Sequence, residues 1–180
     1  MIILIDLDDV LADFEGGFLE RWRQRHPSYP CITRDQRTVF GMHKQYPSWC
    51  RDPIQELIRE PGFFLGLPPI AGGQAAVREM LTHGHRVFFC TAPMPGCPTC
   101  ATEKFQWVGQ NLGPDLVGRI ILTGDKTLVR GDILIDDNPA ITGALPPVWE
   151  HVIFDVPYNR TVADKRRLVR WDDWRSIIGC

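Results

Sequence analysis

Three aspartates close an apolar run near the start of the chain. Residues 2–14 read IILIDLDDVLADF, with Asp6, Asp8 and Asp9 following directly on four aliphatic residues. So short and continuous a β-branched run reads as a strand in a dry core. Carboxylates a few ångströms apart repel, so such a cluster either raises the pKa of a member or recruits a cation. A hard divalent ion fits, and Mg²⁺ is held by one or two carboxylates together with waters and phosphate oxygens. The D-x-D spacing also supplies two chemical roles from one strand end. One carboxylate can attack phosphorus as a nucleophile. The other can protonate the leaving alcohol and later activate water. Taken alone, D-x-D is common in loops. Three further stations strengthen it: Thr91 after VFFC (87–90), Lys126 after RIIL (119–122), and Asp136-Asp137 after DILI (132–135). Lys126 brings a fixed positive charge that can balance a phosphate, and Thr91 brings a hydroxyl and backbone N–H donors.

These stations need elements that bring them to one edge. Strands are expected at 2–5, 87–90, 119–122, 132–135 and 151–154. Helices are expected from Phe14-Phe18-Leu19-Trp22, between Pro53 and Arg59, from Ala76-Val77-Met80-Leu81 up to Gly84, from Phe105-Val108-Leu112 up to Gly113-Pro114, and at Trp174-Ile177-Ile178. Strands alternating with helices imply an α/β fold with a doubly wound parallel sheet. Ligands bind such sheets outside the carboxyl ends of the strands, near the point where the strand order reverses. Gly16 and Gly17 weaken the first helix and mark a hinge or a close-packing point. Residues 27–69 break the rhythm and read as an inserted subdomain.

The segments DLDDV (6–10), CTAP (90–93), GDKT (124–127) and IDDNP (135–139) resemble the four motifs of the haloacid dehalogenase (HAD) phosphohydrolase superfamily. More narrowly, DLDDVLADFE, FFLGLPPIAGG, FFCTAP, GDKTLV, ILIDDNP and WEHVIFD are similar to the 5′(3′)-deoxyribonucleotidase family, from residue 2 to about 178. The resemblance implies a Rossmann-type, HAD-like core at 1–14 and 68–180, with a mainly helical cap at 15–67. It implies Asp6 as nucleophile and metal ligand, Asp8 as general acid/base with its backbone carbonyl on the metal, and Asp137 as third ligand. Asp136 then supports the ligands from behind or reaches the ion through water, while Thr91, Ala92 and Lys126 hold the phosphate. The base is expected against Phe40, Met42, Ile58 and Phe64, with Phe63 beside them. His43, Lys44, Gln45 and Tyr46 are candidates for reaching a sugar or base edge. Four positions depart from the family pattern: Asp9 stands where Gly is usual, Ala92 replaces a hydroxyl residue, and Gly41 and Ile58 lie where relatives can carry Trp.

The expected function is Mg²⁺-dependent hydrolysis of deoxyribonucleoside monophosphates, pyrimidine ones such as dUMP and dTMP first, through an aspartyl-phosphate. The alternatives are a phosphatase for another small ester such as a sugar phosphate, a phosphotransferase to an acceptor other than water, and a nucleotide-binding regulator without turnover. A net charge of -2 argues against a nucleic-acid polymer as partner. Lys165, Arg166, Arg167 and Arg170 read as a solvated basic face, and Lys104 as a surface helix lysine. No apolar run approaches the ~18 residues of a membrane span. Asp6 interrupts the run that a secretory leader would need, so a cytoplasmic protein is expected. Cys97 and Cys100 have zinc-like spacing but lack a second pair, and read as free thiols. A homodimer is the expected assembly among relatives.

Overall fold

The computed structural model describes residues 1–179. Six parallel strands form one sheet in the order β3-β2-β1-β4-β5-β6. They are β1 (Ile2–Ile5), β2 (Arg86–Thr91), β3 (Ile120–Leu122), β4 (Ile133–Asp136), β5 (Glu150–Phe154) and β6 (Arg167–Leu168). The order reverses at β1, whose Ile5 lies level with Phe89 on one side and Ile135 on the other. That reversal opens a crevice at the carboxyl ends of β1, β2 and β4, where the expected polar stations emerge. The two-residue β6 is an addition to the sequence reading, since RL carries no apolar run to signal it.

Five α-helices accompany the sheet: α1 (Phe14–Arg25), α2 (Arg51–Arg59), α3 (Gly73–Thr82), α4 (Cys100–Asn111) and α5 (Trp174–Ile178). All five bury apolar residues in one cluster with Ile3, Ile5, Val87, Phe89, Ile133, Ile135, Val152 and Phe154. The segment 15–67 contributes Phe18, Trp22, Tyr46 and Ile54 to that same cluster, so its side chains share the core of the sheet. The opposite face has a much smaller buried cluster, Leu4, Cys90, Leu134 and Trp149. Its crossovers, residues 123–132 and 137–149, contain no α-helix.

Two local readings are resolved by packing. Gly17 is a close-packing point, because a Cβ there would stand 2.6 Å from Leu67 Cδ2. In α4 the expected apolar marker Phe105 is exposed, while Cys100, Lys104, Trp107 and Val108 are buried. The docked face is therefore rotated from the one that Phe105 suggested.

Candidate active site

Asp6 extends the β1 ladder by one residue, since its N–H donates to the Ile135 carbonyl at 3.0 Å. This places it beside the end of β4, which delivers Asp136 and Asp137. One carboxylate oxygen from each of Asp6, Asp136 and Asp137 lies within 4.8 Å of the others. Lys126 reaches into this group from the 3₁₀ turn Lys126–Leu128, with Nζ 3.0 Å from Asp6 Oδ2 and donating to Asp136. Burial would lower the Lys126 ammonium, but Asp6 and Asp136 more than offset it and hold its pKa up. Burial pushes the Asp136 carboxyl up to about 6 against the pull of Lys126. Asp137 is raised well above the usual range by burial and by the Asp136 and Asp6 charges. Three carboxyl groups crowd one ammonium in a buried pocket, and oxygen donors at this spacing fit a hard divalent cation. Asp136 stands beside Asp6 and Asp137 in this group and also accepts from Lys126.

Asp8 points elsewhere. Its Oδ2 accepts from Lys104 Nζ at 2.9 Å. The same ammonium donates to Thr91 Oγ1 and to the Ala92 carbonyl, each at 2.8 Å. The expectation of a surface lysine at 104 is therefore wrong: the residue is 2% exposed and is pinned over the ends of β1 and β2 by the docked face of α4. Burial raises the Asp8 carboxyl, with Asp6 adding to it and Lys104 opposing, which is the direction a proton donor requires. Replacing Lys104 by Met is expected to lower kcat by about 10²-fold, because Asp8 and Thr91 lose their common anchor. A steady-state assay set beside a thermal melt would check this, and kcat within threefold of wild type would overturn it.

Asp9 occupies φ +54°, in the left-handed region, and is the one non-glycine there among the described residues. Aspartate adopts this region more readily than most residues. Its Oδ1 accepts from the Glu15 N–H at 2.8 Å, so the carboxylate helps to hold the start of α1.

Over the charged floor lies a cavity of about 610 Å³. Asp6, Asp8, Thr91, Ala92, Lys126, Asp136 and Asp137 all line it. Of the expected base contacts, Phe40, Met42 and Ile58 line it as well. Phe64 and Phe63 do not: both are buried and pack edge-to-face against each other at 5.2 Å. Phe14, which periodicity marked only as helix core, takes their place on the wall. His43 also lines the cavity, but Gln45 and Tyr46 turn inward. Gln45 Oε1 accepts from the Thr38 and Val39 N–H groups, and the Tyr46 hydroxyl accepts from Ile32 N–H. Arg37 and Tyr158 line the cavity without any prior signal, being single residues in irregular segments. Cys97 and Cys100 are free thiols. Of the basic patch, Arg167 is half-buried and bonded to Asp155 and Asn159, which makes it a structural residue. Among the described residues, no helix is long and apolar enough to cross a membrane.

A strand order reversing at a D-x-D strand end, with a lysine and paired aspartates at the neighbouring ends, defines a HAD-type hydrolase. Solved structures agree on the fold. A HAD family hydrolase from Deinococcus radiodurans R1, with bound phosphate and sodium, superposes with a TM-score of 0.63 at 16% identity, covering 98% of this chain and 94% of that one. A HAD hydrolase from Bacillus subtilis bound to magnesium gives 0.58 at 11% identity, covering 99% and 98%. Closer sequence relatives narrow the class. The family described as 5′ nucleotidase, deoxy (pyrimidine), cytosolic type C protein matches residues 1–179. The human cytosolic 5′(3′)-deoxyribonucleotidase is 44% identical over 185 residues, covering 98% of this chain and 92% of the relative. The human mitochondrial enzyme is 42% identical over 186 residues, covering 98% and 81%. The chain belongs to this deoxyribonucleotidase family of phosphomonoester hydrolases.

Proposed function

We propose that this protein is a Mg²⁺-dependent 5′(3′)-deoxyribonucleotidase that hydrolyses deoxyribonucleoside monophosphates, with pyrimidine nucleotides such as dUMP and dTMP preferred. The observation that carries the reading is the shared floor, on which Asp6 contacts Lys126 while Asp8, two residues on, is held by Lys104 beneath the same cavity. Lys126, the Thr91 hydroxyl and the Ala92 backbone bind the phosphoryl oxygens. Asp6 attacks phosphorus, the P–O bond to the nucleoside breaks, and the leaving oxygen takes a proton from Asp8. Asp8 then removes a proton from water, which displaces phosphate from Asp6 and restores the carboxylate. A Mg²⁺ ion held by Asp6, Asp137 and the Asp8 carbonyl would neutralise charge on the phosphoryl group. Residues 15–67 act as a cap whose Phe40, Met42 and Ile58, with Phe14 at the start of α1, offer the base an apolar wall. The relatives' names and the apolar wall support a nucleoside leaving group over a sugar.

The test is phosphate release from a panel of 5′- and 3′-deoxyribonucleotides, ribonucleotides and sugar phosphates, with Mg²⁺ and with EDTA. Metal-dependent release favouring dUMP or dTMP is expected. Activity on sugar phosphates alone would keep the chemistry and sink the nucleotide reading. Binding without turnover would make the protein a regulator, and product that depends on an added alcohol would make it a phosphotransferase. Five free cysteines among the described residues support a reducing setting.

We also infer a homodimer through the sheet face that lacks helices. Both faces of a parallel sheet are normally covered. Here the covering loops hold each other, through Leu145 N–H to Thr127 Oγ1 at 3.2 Å and Trp149 Nε1 to the Lys126 carbonyl at 3.4 Å. Their outer side shows Leu128, Leu145 and Val148, at 58%, 54% and 60% exposure. Half-buried Ile2 and Phe88 pack against the thin apolar cluster beneath these loops. Light scattering is expected to give twice the chain mass for the wild type and the chain mass for Leu145→Asp. A wild-type monomer at tens of micromolar would sink the idea.

A further inference from the structure

The cavity is closed on one side by Tyr158, which no motif contains and no step above uses. It lies in the 3₁₀ turn Pro157–Asn159 after β5 and is 5% exposed. Its hydroxyl donates to Asp137 Oδ2. The next residue, Asn159, is fully buried, and its Nδ2 donates to the Asp137 backbone carbonyl at 2.8 Å and to the Phe154 carbonyl at 2.8 Å. One short turn therefore grips Asp137 twice, at its carboxylate and at its backbone.

The other sides of the Tyr158 ring meet the 37–40 loop. The Arg37 guanidinium carbon stands 5.0 Å from the ring centroid. Phe40 meets the ring edge-on, centroid to centroid at 5.9 Å. Arg37 is itself locked. Its NH1 donates to Glu15 Oε1 at 3.0 Å, its NH2 to the Val39 carbonyl at 3.1 Å and its Nε to Gln45 Oε1 at 3.2 Å. Both members of the Arg37–Glu15 pair are almost wholly buried. The loop that carries Phe40 to the cavity mouth cannot shift without unpacking the ring whose hydroxyl orients Asp137.

We propose that Tyr158 is a positioning residue that fixes the Asp137 carboxylate for the divalent ion and transmits the seating of the 37–40 loop to it. The inference rests on the reading of Asp137 as a metal ligand. Its physical basis is general: a ligating carboxylate is oriented by the groups that hydrogen-bond to it, and losing such a partner costs about 10–100-fold in metal affinity. A phenolic O–H to a carboxylate is a charge-assisted bond of the stronger kind. Linkage makes the effect reciprocal, so whatever orders Phe40 at the mouth tightens the ion, and the ion tightens the loop by the same factor.

The experiment is calorimetric titration of the nucleotide-free full chain with MgCl₂, for wild type, Tyr158→Phe, Phe40→Ala, their double variant and Asp137→Asn. Tyr158→Phe keeps the ring under Arg37 and removes only the hydroxyl, so a near-native melting temperature is expected. Its Mg²⁺ dissociation constant is expected to rise about tenfold, with kcat close to wild type once Mg²⁺ saturates. Phe40→Ala is expected to weaken Mg²⁺ about threefold on its own and not at all in the Tyr158→Phe background. A melting temperature that collapses with unchanged Mg²⁺ affinity marks Tyr158 as packing alone and overturns the proposal. So does Tyr158→Phe within twofold of wild type while Asp137→Asn binds far more weakly. If Asp137→Asn also binds like wild type, the ligand assignment under the proposed function fails instead. A Phe40→Ala effect that persists in full beside Tyr158→Phe would overturn the link to the loop.

Discussion

Replacing Asp6 by Asn is expected to lower phosphate release by at least about 10⁴-fold while leaving the protein folded, because it removes the nucleophile itself. The change is nearly isosteric. An asparagine side-chain oxygen can still accept the Leu7 N–H that Asp6 Oδ1 accepts at 2.8 Å. The electrostatics also favour survival of the fold. Without the Asp6 charge, repulsion among the three clustered carboxyl groups falls, and Lys126 keeps its contact with Asp136. Activity and stability should therefore move apart: phosphate release at background, with a melting temperature at or above that of the metal-free wild type. Residual kcat within about 10² of wild type would show that another group attacks phosphorus.

The second large effect falls on stability as well as rate. Lys126 is 9% exposed and touches both Asp6 and Asp136. Lys126→Met removes the one ammonium seated among three carboxylates, and breaking a buried pair from one side costs about 3–5 kcal/mol. The sign of the pH dependence follows from the carboxyls. Asp136 titrates at about 6 in the folded protein even with Lys126 present, above its ordinary value of 3.8. A folded-state pKa raised above the unfolded one means that the folded protein binds more protons in that window, so its stability falls as pH rises. Without Lys126 the Asp136 pKa goes higher still. The deficit of Lys126→Met should be smallest below pH 6, where Asp136 is protonated in both folded proteins, and should grow as pH rises above 6, where only the wild type stops losing stability through this group. Divalent cations should restore part of it at pH 8, and kcat should fall by about 10³-fold for want of the charge facing the phosphoryl group. Urea unfolding at pH 5 and pH 8, with and without MgCl₂, checks all three. A deficit that does not change with pH or metal would show that Lys126 acts by packing alone.

The residues legible in advance share one property: each lies at the carboxyl end of a strand or within four residues of it. Asp6, Thr91, Lys126, Asp136 and Asp137 are ordered by the covalent chain, and a parallel sheet collects strand ends at one edge whatever the details of packing. Apolar runs, polar ends and helical periodicity therefore determined the sheet, its polarity and the charged floor without further help. Only the tertiary structure decided what stands on that floor from elsewhere. Lys104 reaches Asp8 because α4 docks through Cys100, Trp107 and Val108 instead of Phe105, a rotation of about 100° per residue along the helix that local pattern resolves poorly. Phe14 replaces Phe64 on the cavity wall for a similar reason, since an aromatic residue beside a core can face either way until its neighbours are placed. Arg37 and Tyr158 lie 121 positions apart in irregular segments, and they meet because the segment between β1 and α3 folds back over the strand edge. Chemistry set by chain order was readable from the residues; contacts between separately folded segments were set by side-chain packing, which has no linear period.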